Sequence, residues 1–427
     1  MLKKSFVGLF TPQFDYQLLP TRLPEPEQVA ASQTVTLYHP RKAAQRAPAA
    51  FQIGDKVKTG QKIALYADDP AYVIASAGGT ISAISPYTGD FGKTFSAVTI
   101  KIDKNEALDD QFAAQCQEPT LANALDFLEF TPGAPPLKTL AAADKPIKTI
   151  MITGVDSDLL VGTRQYITKT RLADLTSGIK ILHRISEVDR IILVTAREAM
   201  QGFGHIGAEG KSVDTIYPAA LPQLIMKNVL GEVVPAGKSC EDLGVCFINV
   251  EAVVSLGRAY ESRHVPVRKI LTLINKAENQ RIIETTIGTP IRDILAAYNI
   301  TVNEADRIVF GGPMTGSAVY SLDQPVLPDT DAIMVLDRAK AAYTSDYPCI
   351  NCGNCVRACP AQMAVNMLVR FLEAGQYQEA ADNYDLYSCV ECGLCSYVCV
   401  SKIPIFQYIR LAKYELNRAT TAEATDV

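Results

Sequence analysis

The chain has 427 residues, 48% of them hydrophobic and 20% charged, which is enough for roughly two to four domains with cores of their own. A formal net charge of −5 does not suggest nucleic-acid binding, and no apolar run is long enough to form a transmembrane helix. The opening MLKKSFVGLFTPQF lacks the apolar core and cleavage site of a signal peptide, so a reducing, cytoplasmic setting is expected.

Residues 1–35 carry Pro12, Pro20, Pro24 and Pro26 and read as an N-terminal arm lying on the surface. Residues 36–103 alternate short β-type runs with turn signals. The stretches FQIGDKVKTGQKIALY and IASAGGTISAIS look like a barrel-sandwich module of the biotinyl/lipoyl type. Such modules carry their prosthetic group on a lysine at a hairpin tip. The corresponding place here is Asp68-Asp69-Pro70-Ala71, so a structural module is expected rather than a swinging arm. Residues 104–146 form a linker, acidic at first and then rich in Pro, Gly and Ala.

Residues 147–262 alternate strand and helix patterns. KTIMIT and RIILVT read as buried strands, and Leu172, Leu175, Ile179, Leu182 and Ile185 fall at helical spacing. This argues for a mostly parallel sheet with helices on its faces. Residues 263–330 read as a strand-turn-strand-helix-strand array, a β-grasp module. The fold class is therefore multidomain α/β plus β, closed by a helical two-cluster ferredoxin-like domain over residues 331–418. A polar, disordered tail is expected over 419–427.

Eight of the eleven cysteines lie in CINCGNCVRACP and CVECGLCSYVCV. Each stretch has the spacing C-x2-C-x2-C-x3-C, the run in which the fourth cysteine ligates the other of two clusters. One [4Fe–4S] cluster is assigned to Cys349, Cys352, Cys355 and Cys399, and a second to Cys389, Cys392, Cys395 and Cys359. Structural zinc takes two spaced pairs of ligands and does not need three cysteines in one short loop plus a distant fourth. Isolated Cys116, Cys240 and Cys246 are expected to be structural, as are His39, His183, His205 and His264. Gly202 to Gly207 matches G-x-G-x-x-G, but an extended segment follows it where a dinucleotide site needs a helix, so it reads as a glycine loop.

The order of these parts, with IGTP at 287–290, GGPMTG at 311–316 and SKIPIFQYIRLAK after the second cysteine motif, resembles RnfC, a peripheral subunit of the Rnf electron-transport complex and a relative of the NADH dehydrogenase 51 kDa family. The resemblance implies an iron–sulfur subunit that relays electrons between a partner redox protein and another subunit. Those partners would be redox subunits of a complex, membrane-bound ones among them, with this chain on the inner face of the cell membrane. Family members are held to pass electrons from NADH through FMN, using a loop of the form GGxGFPxxxKL. Here that place holds Thr131-Pro-Gly-Ala-Pro-Pro-Leu-Lys138, and proline has no N–H to offer a phosphate. FMN and NADH oxidation by this chain are therefore not expected. Asn249, Val250 and Glu251 are what remains of a flavin-lining segment. An FMN-containing NADH:acceptor oxidoreductase subunit and an assembly subunit with structural clusters are the alternatives.

Overall fold

The computed structural model describes residues 12–20, 22–30, 32–41, 50–66, 69–197 and 206–425, with side chains described as far as residue 419. The strand Thr34–Pro40 buries every second residue, so Val35, Leu37 and His39 face one core. It pairs antiparallel with Thr94–Ile102, which pairs in turn with Gly79–Thr88 and, beyond it, Lys56–Val57. The hairpin Lys62–Ile63 with Val73–Ile74 closes the other side over Ile63, Leu65, Ile81, Val98 and Ile100. Burial pushes the pKa of fully buried His39 down, and its Nδ1 bonds the Pro40 carbonyl while Nε2 lies within hydrogen-bond reach of Leu65 N–H and the Ala71 carbonyl. Of the hairpin tip, Asp68 lies outside the described residues. Asp69 accepts from Ala71 N–H, and Tyr66 bonds Ser96, which ties the hairpin to the body.

The second unit is a fully parallel sheet in the order Glu209–Val213, Arg190–Ala196, Thr149–Thr153, Val245–Asn249. Its two central strands, Arg190–Ala196 and Thr149–Thr153, are near-continuous apolar runs because helices cover them. Two helices, Leu172–Ser186 and Val250–Ser262, cross at glycines. A Cβ on Gly178 would stand 1.9 Å from the Val253 carbonyl oxygen, and one on Gly257 would stand 2.4 Å from the Asp174 oxygen. The second half of the glycine loop, Ile206 and Gly207, leads into the strand Glu209–Val213 and not into a helix; Gly202 to His205 lie outside the described residues.

The third unit is a mixed six-stranded sheet in the order Glu27–Gln28, Gln280–Thr286, Arg268–Ile274, Ala332–Leu336, Arg307–Phe310, Ser317–Val319, with the helix Ile291–Ala297 packed against it. A boundary at residue 330 cuts this sheet, because Ala332–Leu336 lies at its centre. The five-residue run AIMVL finds parallel pairing with Arg268–Ile274 and antiparallel pairing with Arg307–Phe310, partners that no local pattern announces. The N-terminal arm supplies the edge strand Glu27–Gln28. Further back it is pinned through Tyr166 to the Pro24 carbonyl, Lys169 to the Leu19 carbonyl and Tyr16 N–H to the Thr215 carbonyl.

The last unit is helical: Asn354–Ala358, Val365–Glu373, Tyr377–Asn383, Leu394–Tyr397 and Ile405–Thr425. Leu368, Val369, Leu372, Ala380, Leu386, Ile405 and Ile409 make its core. The final helix continues through Thr425, into the segment read as a disordered tail. Ala419, Ala422, Glu423 and Ala424 are helix-compatible residues that prolong an established helix at little cost.

Replacing Gly178 or Gly257 by alanine gains about 1 kcal/mol of helix propensity and forces overpacking against backbone that cannot give. A net destabilisation of about 1–3 kcal/mol is expected for either variant by chemical denaturation, and an unchanged midpoint would refute the close crossing.

Candidate iron–sulfur site

The two cysteine motifs trace the same backbone path. Asn351 and Gly353 flank Cys352 with φ of 58° and 73°, and Glu391 and Gly393 flank Cys392 with 56° and 73°. Gln362 and Lys402, at matching places after Cys359 and Cys399, are also left-handed, at 56° and 57°. A short helix opens at each glycine. Left-handed turns on both sides of the central cysteine let three closely spaced thiols serve one site, since an extended strand would alternate them.

Cys349, Cys352, Cys355 and Cys399 line a single cavity, with Ile350, Gly353, Asn366, Val369 and Val400 among its walls. Cys359 lies close enough to Cys389 and Cys392 for their charges to interact. The fourth cysteine of the second motif is thus carried to the first. Among the described residues no three His, Cys, Asp or Glu side chains are packed as they would be around one metal ion. Thiols set around a cavity suit the corners of a cubane. Backbone N–H groups point at two of the sulfurs: Glu391 N to Cys389 Sγ and Ile403 N to Cys399 Sγ, each at 3.4 Å. Burial pushes the Cys355 thiol up to about 11, helped by Cys349 and Cys352 nearby. Burial, with Cys389 and Cys359 close by, pushes Cys392 up to about 12. Such burial favours the neutral thiol, and a bound cation such as iron would favour the thiolate instead.

The two sites differ in surroundings. Cys392 is buried, and its carbonyl accepts the Tyr217 hydroxyl at 2.6 Å. A Cβ on Gly393 would stand 2.5 Å from the Met314 oxygen, so this motif rests on the loop of the six-stranded sheet that holds GGPMTG. That loop is itself latched by Asp158, which accepts from Met314 N, from Thr315 N at 2.7 Å and from the Thr315 hydroxyl at 2.7 Å. Lys413 donates to the Cys389 carbonyl at 2.9 Å and pairs with Glu391 at 2.8 Å. The first motif has no such cover: Cys352 is exposed, and Ile350 and Val400 are 66% and 52% exposed. Asp158 and Tyr217 had no signature in the sequence; Lys413 closes the SKIPIFQYIRLAK stretch, and the glycines of GGPMTG hint at a close approach.

Residues 348–403 match the 4Fe-4S dicluster domain, and residues 24–105 match the RnfC barrel sandwich hybrid domain. The matching subunit of the proton-translocating ferredoxin:NAD(+) oxidoreductase complex of Clostridium ljungdahlii is 30% identical over 389 residues, covering 86% of this chain and 84% of that protein. The chain belongs to the RnfC family. The corresponding subunit of the ion-translocating oxidoreductase complex of Pectobacterium carotovorum subsp. carotovorum is 28% identical over 85% of this chain, and that of Pseudomonas aeruginosa is 28% identical over 86%. The chain spans only 51% and 50% of these two relatives, about half their length. A chain of NAD+-reducing [NiFe]-hydrogenase shares 14% identity at a TM-score of 0.44, covering 75% of this chain and 69% of that one.

Open parallel sheets bind ligands where the strand order reverses, here between the ends of Thr149–Thr153 and Val245–Asn249. In this RnfC chain the crevice is filled by its own groups. Asn249 caps the helix Val250–Ser262 by accepting from Glu251 N–H, and its amide donates to Asp331 at 3.2 Å. Val250 is fully buried. Glu251 forms a buried ion pair with Lys269 and accepts from Ile270 N–H at 3.0 Å. Burial works against the Asp331 carboxylate, but Arg164, 2.8 Å away, and Lys269 outweigh it and hold its pKa below the usual range. The 131–138 loop covers the end of the helix. A Cβ on Gly133 would stand 2.2 Å from Ala252 N, Gly133 N–H is spent on the Pro328 carbonyl, and Ser255 holds the Pro132 carbonyl. A flavin phosphate needs free backbone donors at this helix start, and these residues do not fit one.

Gly353 and Gly393 occupy equivalent places with unequal surroundings. Gly353→Ala meets only the end of Arg357, at 3.2 Å, and carries the left-handed penalty of about 1–2 kcal/mol. Gly393→Ala adds the clash with Met314 backbone and is expected to cost about 1–3 kcal/mol more, read as a lower denaturation midpoint of the iron-loaded protein.

Proposed function

We propose that this chain is the iron–sulfur electron-transfer subunit of an Rnf-type oxidoreductase complex. It holds two [4Fe–4S] clusters and connects one redox partner to another. The observation that carries the reading is Cys399 in the cavity of Cys349, Cys352 and Cys355, with Cys359 beside Cys389 and Cys392. When bound, such clusters accept and release single electrons. The protein's part is to hold them in one small helical unit, to direct N–H groups at Cys389 and Cys399, and to place Lys413 beside the second site.

The other units are read as scaffold and docking platform: the arm over 1–35, the barrel-sandwich over 36–103, the flavin-domain-like unit over 147–262 and a β-grasp module that extends past 330 to Leu336. The filled crevice at Asn249 and Glu251 supports electron entry from a protein rather than from FMN or NADH bound here. Among the described residues no helix is long and apolar enough to cross a membrane. A peripheral place on a membrane complex is supported by the names of the relatives, which are subunits of ion- and proton-translocating complexes.

Anaerobically purified protein is expected to contain about eight iron atoms per chain, as two cubanes. The double variant Cys352→Ser/Cys399→Ser is expected to keep about four, because both residues belong to one cluster. If each motif held its own cluster, that variant would damage both and keep almost none. Flavin released from the same preparation by denaturation is expected to be far below one per chain; stoichiometric FMN with cluster reduction by NADH would overturn the reading in favour of a flavin-fed subunit.

A further inference from the structure

The two cluster sites are unequally open, and the open one has a chemical character. Around the first, the exposed residues Tyr347 (69%), Ile350 (66%) and Val400 (52%) form an apolar rim beside exposed Cys352. The segment that carries Tyr347 is fixed there, since Ser345 N–H donates to the Lys402 carbonyl and the Ser401 hydroxyl bonds the Pro348 carbonyl. Two cations flank the rim. Arg357 is exposed and donates to the Cys352 carbonyl at 3.3 Å and to Asn354, and Lys402 is exposed next to cavity-lining Ser401. Among the described residues neither is paired with a carboxylate, and Asp346 is an exposed acid on the neighbouring segment. The second site has Tyr217 and Met314 against it and its lysine is already paired with Glu391.

We infer that the rim of Ile350, Val400 and Tyr347, with Arg357 and Lys402, is the docking surface for an acidic redox protein, and that the Cys349, Cys352, Cys355 and Cys399 cluster is the one that exchanges electrons with it. This rests on the ligand assignment above. An apolar patch excludes water between the centres, and unpaired cations attract an acidic carrier over a Debye length and orient it. One electron passes per encounter, so the carrier's centre is oxidised as the cluster is reduced, or the reverse.

The test is stopped-flow electron exchange between the iron-loaded full-length chain and a purified acidic ferredoxin, followed by cluster absorbance at several salt concentrations. The rate constant is expected to fall about tenfold or more from low to high salt. Lys402→Glu is expected to lower the low-salt rate about tenfold and flatten the salt dependence, with Arg357→Gln acting in the same direction. Lys180→Glu, an equal change of net charge on the distant helix Leu172–Ser186, is expected to leave the rate unchanged. Iron content and the cluster EPR signals, measured on every sample, separate this proposal from the one it rests on. A wild-type chain without about eight irons sinks the cluster assignment itself. A fully loaded chain whose rate ignores salt, or reacts equally fast with a basic carrier of similar size, or responds alike to Lys402→Glu and Lys180→Glu, overturns the docking surface. Salt dependence of the wild type decides the matter even if a variant loses iron.

Discussion

Cys399 can reach the cavity lined by Cys349, Cys352 and Cys355 only if both cysteine motifs fold as one unit. The segment between the motifs must therefore bring the chain back. It does so through the helices Val365–Glu373 and Tyr377–Asn383, which bury Leu368, Val369, Leu372 and Ala380 against Ile405 and Ile409 of the last helix. The repeated left-handed positions around Cys352 and Cys392 give the unit an internal pseudo-symmetry. What breaks that symmetry is the rest of the chain, which covers one site and leaves the other open.

The cover is a short relay of backbone contacts. Asp158, at the end of the parallel sheet, gathers the amides of Met314 and Thr315; Met314 sits against Gly393; and Tyr217 reaches the Cys392 carbonyl. Phe14 of the N-terminal arm adds an edge contact to Tyr397 at 5.0 Å. The same parallel sheet has its ligand crevice closed by Arg164, Asp331, Glu251 and Lys269. This unit touches the second cysteine motif through the Tyr217 hydroxyl, which donates to the Cys392 carbonyl.

Much of this was legible in the residues. The cysteine spacing, the apolar strands KTIMIT and RIILVT, and the helical spacing of Leu172, Leu175, Ile179, Leu182 and Ile185 are local patterns, and local geometry produces them. Features made by distant partners were not. The strand Ala332–Leu336 is a plain apolar run until two neighbours pair with it, and Glu27–Gln28 is a strand only because the edge of Gln280–Thr286 is free to receive it. Asn249, Val250 and Glu251 keep the residue types of a flavin-lining segment, while their hydrogen bonds go to a cap, to Asp331 and to Lys269. The last helix runs past Arg418 because prolonging a helix is easier than starting one.

The sequence by itself determined which thiols are candidates for iron, because the C-x2-C-x2-C-x3-C spacing is a local pattern. It also determined that the loop over 131–138 offers a phosphate few donors, because proline lacks the N–H in any fold. Only the tertiary structure decided which site is open. Exposure of Cys352, Ile350 and Val400, and burial of Cys392, depend on where Met314, Tyr217 and Asp158 arrive from elsewhere in the chain. Two motifs with the same cysteine spacing therefore acquire different surroundings, since solvent access is a property of the assembled surface and not of the segment that carries the thiols.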